Sequence, residues 1–209
     1  MTDAPTRTFE VRHVQLARAL FAAVAAIMIT FSSDHSAAVG LAVFSGYAIA
    51  TAIVFFAAAW LVYPAGGRGL PVLLGVEALV AGMVTGIPPL RTTEMFFIVV
   101  IAWAVVSGVT ELVGGLRARR AGDANGRDGV LIGAITLALA VGLLLVNPTY
   151  SLQYVGDLTL TGIVIGVGVF GGYAAVIAVF LGIAGFSPRH TPVVTEAPAS
   201  SARSAGEIV

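Results

Sequence analysis

Six long apolar segments separated by short polar connections constrain the architecture of this chain more than any other feature. They cover residues 14–31, 37–63, 70–87, 95–116, 130–146 and 158–186. A helix of about 20 apolar residues, rising about 1.5 Å per residue, spans the hydrocarbon core of a bilayer. The sequence therefore predicts an all-α, polytopic membrane protein with six transmembrane helices, in contact with the lipid bilayer.

The composition supports this prediction and divides the chain into three parts. Of 209 residues, 58% are apolar and 11% are charged, whereas about a quarter of the residues of soluble domains are charged. We predict an N-terminal segment (1–13), a transmembrane domain (14–186) and a disordered tail (187–209) rich in Pro, Ser, Ala and Thr. The first apolar segment is longer than the core of a secretory signal, which favours a retained span.

The arginines predict how the chain is oriented. All 11 basic residues are arginines, and with six spans only Arg91 falls on the outer side. Because basic residues of short connections stay in the cytoplasm, we predict a multi-pass protein of the inner (plasma) membrane with both termini cytoplasmic. The formal net charge is zero, so the charge balance gives no reason to expect nucleic acid as a partner.

Short sequence matches indicate an internal repeat. The second span contains VFSGYA (43–48) and the sixth contains VFGGYA (169–174). The glycine and proline positions of the third and fifth spans also correspond, which predicts three α-hairpin repeats with a period of about 60 residues.

Glycines are expected to form the packing faces of these hairpins. Gly46, Gly108 and Gly172 occupy corresponding positions in the predicted repeat. Small residues let membrane helices approach closely. We therefore expect the three to be helix-packing residues. The glycine faces could also hold a homo-oligomer or a larger membrane complex.

Glu77 and Glu111 are the strongest local signals, because an ionised carboxylate in hydrocarbon costs several kcal/mol and rarely faces lipid. Glu77 lies seven residues after Leu70, and Glu111 lies six residues before Arg117. Both are thus about 9 to 10 Å from the cytoplasmic ends of their helices. Arg18 lies slightly nearer the cytoplasm and is long enough to reach either glutamate.

Three interpretations of these residues are open. Arg18 forms an ion pair with Glu77 or Glu111 that fixes helix packing, or the glutamates extend toward the interface. Alternatively, the two glutamates form a titrating pair that exchanges protons.

A second set of acidic residues lies in the outer turns. Asp34, Glu94 and Asp157 fall once in each predicted hairpin. One interpretation is that a turn at a membrane surface requires polar residues. The other is a ring of outer-mouth carboxylates that takes up protons when the exterior becomes acidic.

Catalytic constellations are absent from the sequence. There is no cysteine, which excludes disulfides and thiolate catalysis. There is also no lysine for a P-loop and no histidine pair at helical spacing for a metal. We therefore predict no catalytic residues, no cofactor, no metal and no enzymatic activity.

The fourth and fifth spans resemble a known family. Within residues 101–148, the pattern resembles the short repeat of the HdeD-type small membrane proteins, and the matching positions are Gly108, Glu111, Arg117, Gly133, Gly142 and Pro148. The resemblance implies a six-span bacterial inner-membrane protein associated with acid resistance, without enzymatic activity.

Three hypotheses of function follow. The first is a non-enzymatic bacterial membrane protein of the HdeD type that acts in acid or envelope stress tolerance. The second is a small proton-coupled transporter or channel that uses Glu77 and Glu111. The third is an assembly partner of a larger membrane complex.

Overall fold

The computed structural model describes residues 9–123, 126–153 and 159–187. These residues form six α-helices, all long and apolar enough to cross a membrane. The helices are α1 (Val11–Phe31), α2 (Ala37–Leu61), α3 (Gly69–Gly86), α4 (Thr93–Arg120), α5 (Gly126–Leu144) and α6 (Gly162–Phe186). The prediction of an all-α polytopic fold with six helices is confirmed. Most of the predicted N-terminal segment (1–13) and tail (187–209) lies outside the described residues.

Two short strands, which the sequence did not predict, lie between α5 and α6. Strand β1 (Ser151–Gln153) pairs antiparallel with β2 (Thr159–Thr161), with Leu152 opposite Leu160. Three-residue strands are too short to show an alternating pattern. As a result, α6 begins at Gly162 rather than at the predicted position 158.

The helix ends follow local chemistry. Thr92 caps α4 by accepting a hydrogen bond from the Met95 amide (3.3 Å), and Ser36 caps α2 in the same way through the Val39 amide. Helix α4 runs to Arg120, beyond the predicted residue 116, because arginine is a good helix former and its charge suits a helix C-terminus. Helix α5 likewise begins four residues before the predicted position 130.

The six helices form a closed bundle. Helix α4 packs most extensively against α5, α1 against α6, and α2 against α3, while α2, α4 and α6 meet in the centre. The first and last helices are therefore direct neighbours. The most extensive contacts within the chain connect the predicted hairpins rather than lie inside them.

Glycine has different roles in different parts of the bundle. A Cβ atom on Gly133 would lie 2.7 Å from the Gly108 carbonyl oxygen, and one on Gly108 would lie 2.8 Å from Leu137. These glycines, Gly108 among them, bring α4 and α5 into backbone contact. Gly46 and Gly172 are placed differently. Both lie on the outer surface, with open space where a Cβ would be.

Buried positions recur at fixed offsets in the three central helices. Tyr47, Trp103 and Tyr173 are buried, and their spacing of 56 and 70 residues also relates Ala48, Ala104 and Ala174. In this register Gly108 corresponds to Ala52 and not to Gly46. The recurrence concerns burial, and a repeat of three hairpins stays a prediction.

Candidate functional site

Aromatic side chains fill the centre of the bundle. Phe44 of α2 lies 5.2 Å from the Trp103 ring and 5.5 Å from the Phe170 ring, both edge to face. Tyr47 and Tyr173 flank Trp103 at 6.0 and 6.1 Å between ring centroids. Edge-to-face contacts at such distances are favourable aromatic geometry. We call these five rings the aromatic layer, and at this level α2, α4 and α6 are close-packed.

A buried ion pair joins α1 to α4. The Arg18 Nη2 group donates a hydrogen bond of 2.7 Å to Glu111 Oε1, and the two side chains are only 12% and 7% exposed. The guanidinium carbon of Arg18 also lies 4.5 Å from the centroid of the Phe55 ring on α2. Of the two partners considered for Arg18, the structure therefore selects Glu111.

The ion pair is not fully satisfied by hydrogen bonds. Arg18 Nε is buried and has no hydrogen-bond partner among the described residues. An arginine and a carboxylate can form two parallel hydrogen bonds, but in this pair one nitrogen, Nη2, contacts one oxygen, Oε1. The pair thus lacks the two-point geometry that gives such contacts their specificity.

A cavity of about 170 Å³ connects this ion pair to one end of the bundle. That end, which we call the arginine-rich end, carries Arg12, Arg68, Arg117, Arg119, Arg120 and Arg127. Residues from α1 to α5 line the cavity, and Gln15 Nε2 donates a 2.8 Å hydrogen bond across it to Asp128 Oδ2. This volume is large enough for several water molecules or one small solute.

Glu77 has different surroundings. It lies beside Ser107 of α4 and is close enough to Glu111 for the two charges to interact. Both of its carboxyl oxygens are buried, and neither has a hydrogen-bond partner among the described residues. Glu77 is also not among the described residues that line the cavity. Glu77 therefore lies near the ion pair but outside the cavity that Arg18 and Glu111 line.

The predicted outer carboxylates have local roles where they are described. Asp34 Oδ1 accepts a 2.8 Å hydrogen bond from the Ser36 amide, and Oδ2 accepts one of 3.0 Å from the Ser36 hydroxyl. Glu94 lies in the first turn of α4, where negative charge suits the helix dipole. Asp157 lies outside the described residues. The ring of carboxylates stays a prediction.

Sequence reasoning did not identify Gln15, Phe55 or Asp128 as parts of the site. Gln15 lies three residues before Arg18 in α1, and this helical spacing could have identified it. Asp128 precedes the predicted start of the fifth span at position 130, but it belongs to the first turn of α5. Phe55 is one of many apolar residues in α2, and nothing in the sequence distinguishes it.

Neither a search for metal sites nor comparison with other proteins assigns a function to this site. Within the described part of the chain, no group of three or more His, Cys, Asp or Glu side chains could hold a metal ion. Comparison with protein-family models, with curated proteins and with solved structures gives no match.

Proposed function

We propose that this chain is a non-enzymatic bacterial inner-membrane protein of the HdeD type that acts in acid or envelope stress tolerance. The observation that carries the proposal is that five of the six residues behind the resemblance lie in one structural unit, the α4–α5 pair, and Pro148 follows the end of α5. Gly108 and Gly133 hold the two backbones in contact, and Glu111 of the same pair forms the buried ion pair.

Survival of a deletion strain at low pH tests this role. The strain should survive less well than its parent, and the wild-type gene should restore survival. Two glycine variants test whether the α4–α5 contact matters. Gly133→Ala places a Cβ within 2.5 Å of the Leu112 amide nitrogen, whereas Gly142→Ala places one 3.4 Å from a Val169 methyl group. We expect only Gly142→Ala to restore survival, and equal survival of the deletion strain and its parent would remove the acid role.

Proton-coupled transport is the second candidate function. The cavity that ends at Arg18 and Glu111 favours it, because transporters commonly present a solute site to one side at a time. The aromatic layer packs the centre of the bundle beyond this site, so transport would require these rings to move. This arrangement supports a transporter more than a permanently open channel.

Flux into liposomes tests the transport hypothesis. Purified wild-type protein should acidify the liposome interior under an imposed proton gradient, and Glu111→Gln should abolish this flux. The Glu77→Gln variant shows whether the second carboxyl takes part. If the double variant Glu77→Gln/Glu111→Gln conducts as much as wild type, proton coupling through these residues is wrong.

Assembly with other chains is the third candidate. The outward positions of Gly46, Gly168 and Gly172, with open space at each Cβ, favour close approach of another membrane helix. Crosslinking in membranes and co-purification test for a homo-oligomer or a larger complex. Replacing Gly168 and Gly172 by leucine should abolish a crosslink that depends on this face.

The orientation of the chain is also part of the proposal, with both termini in the cytoplasm and multi-pass insertion in the inner membrane. Because the chain contains no cysteine, single cysteines can be labelled without background. Ser33→Cys should react with an impermeant thiol reagent added outside intact cells, and Arg119→Cys should react only after lysis. The reverse pattern would invert the topology.

A further inference from the structure

Four exposed arginines at the arginine-rich end take no part in the site described above. Arg117, Arg119 and Arg120 lie in the last turn of α4, and Arg127 lies in the first turn of α5. The salt bridges within the described residues are Arg12 with Glu10 and Arg18 with Glu111. None of the four guanidinium groups therefore pairs with a described carboxylate.

The fold holds these like charges close together. A Cβ on Gly126 would overlap the backbone of Arg119, and one on Gly129 would lie 3.1 Å from the Gly115 Cα. The end of α4 and the start of α5 are thus in direct backbone contact. The four arginines therefore lie on adjoining helix ends, where like charges repel one another unless counter-charges lie between them. An anion between the guanidinium groups would remove that repulsion.

The depth of the cluster in the membrane follows from the length of α4. Its 28 residues extend about 42 Å at 1.5 Å per residue, while the hydrocarbon core is about 30 Å thick. Helix α4 begins at Thr93, so its last turns lie beyond the hydrocarbon. The four arginines are therefore at the level of the lipid headgroups.

Apolar stripes on the outer surface lead from the hydrocarbon to these arginines. On α4 the exposed side chains of Val106, Val109, Val113 and Leu116 precede Arg117 and Arg120 at helical spacing. On α5, Arg127 is followed one turn later by the exposed Leu131. A molecule with apolar chains and an anionic head fits an apolar stripe that ends at arginines.

We propose that the α4–α5 corner formed by Arg117, Arg119, Arg120 and Arg127 binds the phosphate headgroup of an anionic phospholipid. The acyl chains lie along the apolar stripe of α4. Guanidinium groups match phosphate oxygens in charge and in hydrogen-bond geometry. Basic residues at this depth attract anionic rather than zwitterionic lipids, because a zwitterionic headgroup brings its own cation. The proposal does not depend on the function proposed above.

Native mass spectrometry of the purified full-length protein tests the site. The protein is titrated with phosphatidylglycerol and, separately, with phosphatidylcholine. The test variant is Arg117→Gln/Arg120→Gln. The control Arg12→Gln/Arg68→Gln removes the same number of charges at the same end of the bundle. Arg12 forms a salt bridge with Glu10, and Arg68 lies over the Trp60 ring. All four positions are at the helix ends, so folding should be retained, and thermal unfolding of each variant checks this.

We expect wild type and control to bind phosphatidylglycerol more tightly than phosphatidylcholine. The test variant should lose about 100-fold in affinity for phosphatidylglycerol, since each hydrogen bond to a charged group contributes about tenfold. Equal losses in test and control variants would show general charge attraction and overturn the site. Equal binding of the two lipids would also overturn it. So would displacement of the lipid by millimolar inorganic phosphate, because the acyl chains would then contribute nothing.

Discussion

Glu111 and Glu77 lie at similar depths in the same bundle but in different environments. Glu111 faces the arginine on α1, lies at the floor of the cavity and is 7% exposed. Glu77 lies at the contact between α3 and α4, and its two buried oxygens accept no hydrogen bond from the described residues. The difference shows that depth in the membrane does not determine the surroundings of a polar group. The direction in which each helix face points determines them.

The bundle itself contains apolar counterparts of the ion pair. In the register of buried positions, Phe55 and Leu181 correspond to Glu111 in the central helices. Leu74 and Ile132 of the outer helices likewise correspond to Arg18, because buried residues of α1, α3 and α5 recur at spacings of 56 and 58 residues. In the central helices and in the outer helices alike, two of the three corresponding positions thus carry apolar side chains. Apolar residues can therefore be placed at Arg18 and Glu111 to separate the structural role of the ion pair from its functional role.

The largest effect is expected for Arg18→Leu. This change leaves the Glu111 carboxyl buried without its cation, and the free energy of unfolding should fall by about 3–5 kcal/mol. Reversible unfolding in mixed detergent micelles measures it. The control Arg12→Leu removes an arginine whose side chain is 55% exposed and should change stability by less than about 0.5 kcal/mol. Equal losses in the two variants would show that the ion pair does not matter.

Access to water should also differ between the two environments. In the cysteine-free background, Gln15→Cys introduces a thiol in the cavity wall, and Ser107→Cys introduces one beside Glu77. A small water-soluble thiol reagent should modify the first much faster than the second. Stopped-flow or mass-spectrometric labelling rates measure this difference. Similar rates would mean that Glu77 is reached by water as easily as the ion pair.

The double variant Arg18→Leu/Glu111→Leu should recover most of the stability that Arg18→Leu loses. Replacing both members of a buried ion pair by apolar residues is often neutral, so we expect stability within about 1 kcal/mol of wild type. The same variant should be tested for survival at low pH and for proton flux. A stable double variant without activity would give the ion pair a functional role, and a stable, fully active one would make it structural.

The smallest effect is expected for Glu77→Gln. Within the described residues Glu77 forms no ion pair, and a glutamine can keep its place beside Ser107, so the free energy of unfolding should change by less than about 1 kcal/mol. Unfolding in the same micelles measures it beside Arg18→Leu. A loss of 3 kcal/mol or more would contradict the contrast between the two glutamates and would require a partner for Glu77.

The sequence allowed prediction of the helices but not of the faces they bury. Apolar runs long enough to span a bilayer identified all six helices, and the depth and reach of Arg18 placed its partner among two glutamates. The choice of Glu111 depends on how α1, α3 and α4 are rotated, which depth does not determine. The outward position of Gly46 and Gly172 could not be predicted for the same reason. Matching glycines in two apolar segments do not reveal whether they point to a neighbouring helix or outward.

Closure of the bundle between α1 and α6 has a consequence for biosynthesis. Among the six described helices, α1 leaves the ribosome five helices ahead of α6, its most extensive neighbour. Glu111 likewise follows Arg18 by 93 residues in the chain, so it is synthesised well after Arg18. During synthesis α1 must therefore stay in the membrane with an unpaired arginine, and the position of Arg18 near one end lets its guanidinium reach the headgroup region meanwhile. The contact between α1 and α6 thus cannot form until α6 has been synthesised, whereas the ion pair can form as soon as α4 has been.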